Sequence, residues 1–148
     1  MSVDASSDTS GDASGAFVLR ARVEPADLDE QDHVNNVVYV RWVQDAALAH
    51  WRALTSAEIQ TTVGWALLRH EIDYRAPARL GDEVVVRTRV GHLEGLTFER
   101  LTTIERADGR RLADSRTLWC PIDPRSGRPR RVSGEIRALF SAGSSGSS

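Results

Sequence analysis

Residues 27–42 read D-L-D-E-Q-D-H-V-N-N-V-V-Y-V-R-W. A polar loop carrying Asp27, Asp29 and Asp32 runs directly into an apolar stretch with helical spacing. Asn35 or Asn36 can cap the junction, because a carboxamide oxygen satisfies free N–H groups at a helix start. From Val37 to Leu54 the spacing predicts a single helix of about five turns. Val37, Val40, Ala47, Leu48 and Trp51, with Tyr39, Trp42, Val43 and Ala46, cover most of its circumference, so the helix is expected to be largely buried. A helix start carries unpaired backbone N–H groups and partial positive charge. A carboxylate held beside it is therefore a candidate base or nucleophile toward a carbonyl, with amide donors receiving the developing negative charge.

On either side of this stretch the pattern changes to strands. Phe17 to Val23 alternates until Glu24 and Pro25 close it. Residues 55–64 read as a polar loop with a short helical turn. Trp65 to Tyr74 follows as a strand, with Leu68, His70, Ile72 and Tyr74 expected on one face. Pro77 and Gly81-Asp82 mark a turn. Glu83 to Val90 alternates strongly, with Val84, Val86, Thr88 and Val90 facing one way, and Gly91 to Gly95 is a break. Leu96–Arg106 and Arg111–Cys120 are joined by Asp108-Gly109, a strong hairpin signal. Residues 121–129 interrupt everything, and Val132 to Phe140 reads as a short terminal helix. Short connections imply antiparallel pairing. The expected class is α+β, one long central helix wrapped by a five-stranded antiparallel sheet.

The 148-residue length favours one domain. Residues 1–16 and 141–148 are dominated by small and polar side chains, too poor in apolar surface to offset ordering entropy, and are expected to be disordered tails around a domain at 17–140. A net charge of −2 gives no support to nucleic-acid binding. One cysteine, Cys120, allows no intramolecular disulfide and fits a reducing compartment. Neither a signal peptide nor a bilayer-spanning segment is apparent, so a soluble cytoplasmic protein is expected. No metal site is expected: His33, His50, His70 and His92 are dispersed, and the acidic loop is not a calcium loop, since its sixth position is Asp32 and its twelfth Val38. Nothing points to a cofactor.

The D-x-D-x-x-x-H-V-N-N-x-x-Y-x-x-W stretch and the order of elements resemble hotdog-fold thioesterases of the 4-hydroxybenzoyl-CoA thioesterase type. The same run is similar to that of plant acyl-carrier-protein thioesterases, and I-D-Y-R-A-P-A-R-L-G-D-E at 72–83 is similar to the second strand and turn of that fold. The resemblance implies an acyl-CoA thioesterase in which Asp29 drives hydrolysis, a backbone N–H at about Asn36 holds the oxyanion, and His33 assists. Where the plant branch carries an asparagine two residues after the aspartate, this chain carries Gln31; where the bacterial branch commonly has glycine before the histidine, it carries Asp32. Gln31 and Tyr39 fall at expected substrate-contacting positions. Arg128, within the basic run at 125–131, and Arg75 are candidates for the phosphates of coenzyme A, a solvated turn being the competing reading. A homodimer or homotetramer is expected by the same analogy. Hydrolysis of acyl groups on acyl carrier protein and non-catalytic acyl-CoA binding are the alternative functions.

Overall fold

The computed structural model describes residues 15–143. Strand β1 (Phe17–Arg22) leads through a 3-10 turn at Pro25–Asp27 to helix α1 (Asn36–Leu54). Short helix α2 (Ala57–Thr62) follows, then β2 (Gly64–Tyr74), β3 (Glu83–Glu94), β4 (Thr97–Arg106), β5 (Arg111–Ile122) and helix α3 (Gly134–Gly143). The sheet is five-stranded and antiparallel in the order β1-β3-β4-β5-β2, so β1 and β2 are its edges. It packs around α1, which is the hotdog arrangement. Helix α3 continues past Phe140 to Gly143; the remainder of the expected tails, residues 1–14 and 144–148, lies outside the described residues.

Alternation in β4 is regular: Phe98, Arg100, Thr102 and Ile104 are buried, while the residues between them are not. Two sequence expectations need correction. The break at 91–95 is a continuation of β3, with a register irregularity between Val90 and Leu93 before the turn at Gly95, where φ is +59°. At Gly91 the Glu99 carboxylate occupies the space that a Cβ would take. In β2 a bulge between Leu67 and Arg69 shifts the side-chain parity. His70, Ile72 and Tyr74 keep a common face, but Leu68 leaves it and is 58% exposed.

The helix is also less enclosed than its composition predicts. Trp42, Val43 and Ala46 are sealed against the sheet, yet Val37 is 71% and Leu48 45% exposed. The sheet covers only one side of α1, and the rest of the apolar circumference faces outward.

Two apolar clusters fill the interior. One gathers Tyr39, Trp42 and Val43 against Val84, Val86 and Ile104. The other gathers Trp51, Phe98, Ile136 and Phe140 at the far end of α1. Polar side chains are buried in the same interior. Thr88 and Thr102 exchange a hydrogen bond of 3.0 Å, and Arg100 Nη1 donates to Thr88 Oγ1 at 3.1 Å and to His50 Nδ1 at 3.0 Å. His50, stacked on Phe17, is held neutral: burial, reinforced by the Arg100 charge, pushes its pKa down to about 3. Burial likewise pushes Arg100 down to about 10, which leaves it protonated at neutral pH.

One hydrogen-bonded pair sets the helix start against the sheet. The Tyr39 hydroxyl, in a ring only 2% exposed, accepts the N–H of fully buried Ala78 at 2.8 Å, in the connection between β2 and β3. The C=O of the same residue accepts from Val34 N–H at 3.2 Å. Tyr39→Phe strands the Ala78 donor, so urea unfolding should show a loss of about 1–3 kcal/mol with no change in the cooperativity of the transition.

His50 makes stability depend on pH. Its folded pKa, about 3, lies below its unfolded value of 6.5, so the unfolded chain binds the additional proton. The contribution is complete above pH 6.5 and is lost as pH falls toward 3. Between pH 7 and pH 5 the loss is about 2 kcal/mol, on the order of magnitude set by the shift. His50→Gln keeps an acceptor for Arg100 without a titrating ring, and its unfolding free energy should fall less over that interval by about the same amount.

Candidate active site

The loop before α1 is a small, tightly bonded turn. Leu28 and Val34 form an isolated antiparallel bridge. Between them Asp29 N–H donates to His33 C=O at 2.7 Å, and Asp32 N–H donates to Asp29 C=O at 3.1 Å. Closing so small a loop requires one residue in the left-handed region, and Asp32 takes it with φ +61°. Aspartate tolerates that conformation better than most non-glycine residues. This is the position where the resembled bacterial enzymes commonly carry glycine, so the backbone shape that glycine favours is adopted here without it.

The turn orients the carboxylate of Asp29. Its Oδ1 accepts from Gln31 N–H at 2.8 Å and from His33 N–H at 3.1 Å. Its Oδ2 has no hydrogen-bond partner among the described residues. Asp29 is exposed and His33 half-buried. Asp27 has a different role. Its carboxylate is buried, accepts from Glu24 N–H at 2.9 Å and pairs with Arg41 Nη2 at 2.9 Å, while its C=O accepts from Asn35 N–H at 2.8 Å. Asp27 is thus a structural carboxylate whose charge is matched by Arg41.

The helix begins as the spacing requires. Asn35 is the N-cap, its Oδ1 accepting from Val37 N–H at 3.1 Å. The N–H of Asn36, the first helical residue, has no acceptor among the described residues, and its C=O accepts from the Tyr74 hydroxyl at 3.2 Å. An ordered carboxylate therefore precedes by seven residues an open backbone donor at a helix start, where partial positive charge collects.

Other expected site residues are placed elsewhere. Gln31 is exposed beside Asp29 and contributes its backbone to the carboxylate. Tyr39 belongs to the core through Ala78, which is reason enough for a tyrosine at that position. Arg75 is ion-paired with Asp114, with which Arg111 also pairs. Arg128 is exposed on a closed turn in which Asp123 N–H donates to Arg128 C=O at 2.8 Å. Among the described residues no three His, Cys, Asp or Glu side chains are grouped as metal ligands, and no helix is long and apolar enough to cross a membrane.

The motif gave no sign of a second feature. A cavity of about 260 Å³ lies between the distal half of α1 and the sheet, walled by Trp51, Trp65, Phe98, Trp119 and Phe140, with Arg100 in its lining. Asp29 does not line it. The sequence did carry a signal: Arg100 stands at an inward parity position of an alternating strand, where a charge is costly unless something inside requires it.

Comparison with known proteins agrees with the fold. The model of a family described as the thioesterase-like superfamily matches residues 23–140. The chain is similar to the acyl-CoA thioester hydrolase YbgC of Escherichia coli, 26% identical over 127 residues, covering 84% of this chain and 95% of that protein. It is also similar to the long-chain acyl-CoA thioesterase FadM of Escherichia coli, 25% identical over 117 residues, covering 74% and 86% respectively. Among solved structures, a Thermus thermophilus thioesterase complexed with coenzyme A and zinc superposes with a TM-score of 0.79 at 24% identity, over 90% of this chain and 97% of that one.

Proposed function

Since the chain belongs to the thioesterase-like superfamily, we propose that it is an acyl-CoA thioester hydrolase in which Asp29 acts as general base. The carrying observation is the Asp29 carboxylate, held through Oδ1 by two backbone N–H groups and open at Oδ2, ahead of an unpaired N–H at the start of α1. Asp29 takes a proton from water as the water oxygen adds to the thioester carbonyl carbon. The carbonyl oxygen becomes an oxyanion and accepts from Asn36 N–H. Collapse re-forms the carbonyl, breaks the C–S bond, and releases the carboxylic acid and the coenzyme A thiol, whose sulfur receives the proton. His33, at the rim of the same turn, orients the water. The relatives' names support coenzyme A thioesters as the substrate class. The exposed guanidinium of Arg128 suits the phosphates of the nucleotide, whereas Arg75 is already engaged by Asp114. A substrate of this kind and a single cysteine fit a reducing cytoplasm.

The working unit in this reading is a homo-oligomer. Strand β2 is a sheet edge of eleven residues that exposes Leu67, Leu68 and Tyr74. A long edge strand with apolar side chains invites pairing with a second copy. Such pairing would also enclose the exposed Asp29 turn.

Asp29→Asn retains the Oδ1 acceptor and thus the turn. Thiol release from a panel of short, long and aromatic acyl-CoAs should fall at least about 100-fold, with melting temperature and substrate binding preserved. In single turnover in labelled water, the label should enter the product acid and not the Asp29 carboxylate. Near-normal turnover of the variant rejects the assignment. In sedimentation the wild-type chain should run as a dimer or larger species, and Leu68→Asp in β2 should shift it toward monomer.

A further inference from the structure

The buried arginine beside the aromatic cavity has no counter-charge. Arg100 is 6% exposed, and its hydrogen-bond acceptors are neutral, the Thr88 hydroxyl and His50 Nδ1, both served by Nη1. Among the described residues no carboxylate pairs with it, and its Nε and Nη2 meet no acceptor. The adjacent Glu99 does not compensate, since its carboxylate is bound by Arg116 and by His92 N–H. His50 stays neutral, so nothing nearby offsets the positive charge. An unpaired buried charge costs several kcal/mol, and an anion that entered beside it would recover part of that cost. A second donor in the same wall is idle: Trp65 Nε1–H is buried with no hydrogen-bond partner.

We propose that this cavity receives the far end of the acyl group and that Arg100 selects acyl chains ending in a carboxylate. The inference rests on the thioesterase reading and adds to it a substrate class, the ω-carboxyacyl thioesters. Nε and Nη2 form the side of a guanidinium that engages a carboxylate through two parallel hydrogen bonds. The walls take the intervening carbons: a dry cavity of roughly 150 Å³ accommodates benzene, and this one, at about 260 Å³, holds a longer segment. Exposed Gln44 and Leu48 lie at its helix side, so a chain can enter from the surface left uncovered on α1. These residues stand eight and twelve positions beyond Asn36, a distance of about 12–18 Å along the axis. The proposed oxyanion site and the entrance of the cavity are thus separated by a length that an extended acyl chain spans.

Two measurements test this, one of which does not require turnover. In the first, wild-type protein hydrolyses ω-carboxyacyl-CoAs of graded length and the plain acyl-CoAs of matching length. The carboxylated series should show at least tenfold higher kcat/KM at the optimal length. Arg100→Met should abolish the preference by bringing kcat/KM for the carboxylated series down to that of the plain series in the same variant, and Arg100→Lys should retain part of it. Equal rates for the two series in wild type, or a preference that survives in Arg100→Met, overturns the proposal. In the second, Trp51, Trp65 and Trp119 report ligand entry by fluorescence. Octanoate should bind the wild-type protein at least tenfold more tightly than octanol, and Arg100→Met should bind the two alike. If no acyl-CoA is hydrolysed, the thioesterase reading fails while octanoate still tests the arginine. Indifference to the carboxylate in wild type overturns the assignment whether or not thioesters are cleaved.

Discussion

Both hydrogen-bonding groups of one buried residue, Ala78, are committed to the start of α1. Its N–H goes to the Tyr39 hydroxyl and its C=O to Val34 N–H. The connection between β2 and β3 is thereby locked to the end of the Asp29 turn and to the first turn of the helix. Whatever chemistry occurs at the helix start inherits its position from this contact. The pair sits inside the first apolar cluster, where water cannot replace a lost partner, and unmade hydrogen bonds are expensive in such surroundings.

The two ends of α1 show two ways of placing polar groups in an apolar fold. At the N-terminal end each aspartate of the loop has a distinct role. Asp27 is neutralised by Arg41, and Asp29 is held by the backbone of its own turn. Asp32 supplies the left-handed residue that closes that turn. At the distal end the balance is left incomplete, with a guanidinium surrounded by aromatic rings and satisfied only in part by a neutral imidazole and a hydroxyl. The Asp27–Arg41 pair is architecture, whereas the open side of Arg100 is what the proposed carboxylate site rests on. The difference separates the fold-holding aspartate, Asp27, from the groups assigned to chemistry and specificity.

Much of this was legible without coordinates. Period-2 alternation located each strand, helical spacing located α1 to within one residue of its start, and the Asn-Asn pair marked its cap. Local devices were less visible. A bulge moves Leu68 to the outer face because register depends on pairing with β5, which lies some fifty residues away. Gly91 looked like a strand end, yet there it makes room for the Glu99 side chain. Tyr39 looked like a substrate contact because it belongs to the motif; its partner, Ala78, is thirty-nine positions distant and has no side chain capable of announcing the bond.

The sequence by itself determined the class of fold and the position of the central helix. These are written in short-range periodicity and in residue types that act within a few positions of one another. Only the tertiary structure decided which polar residues are consumed by the fold and which are left open. That accounting depends on partners brought together from distant strands: Arg100 meets His50 and Thr88 but no carboxylate, and Arg75 meets Asp114. The charge of a side chain is local information, whereas its compensation is a property of the packed interior.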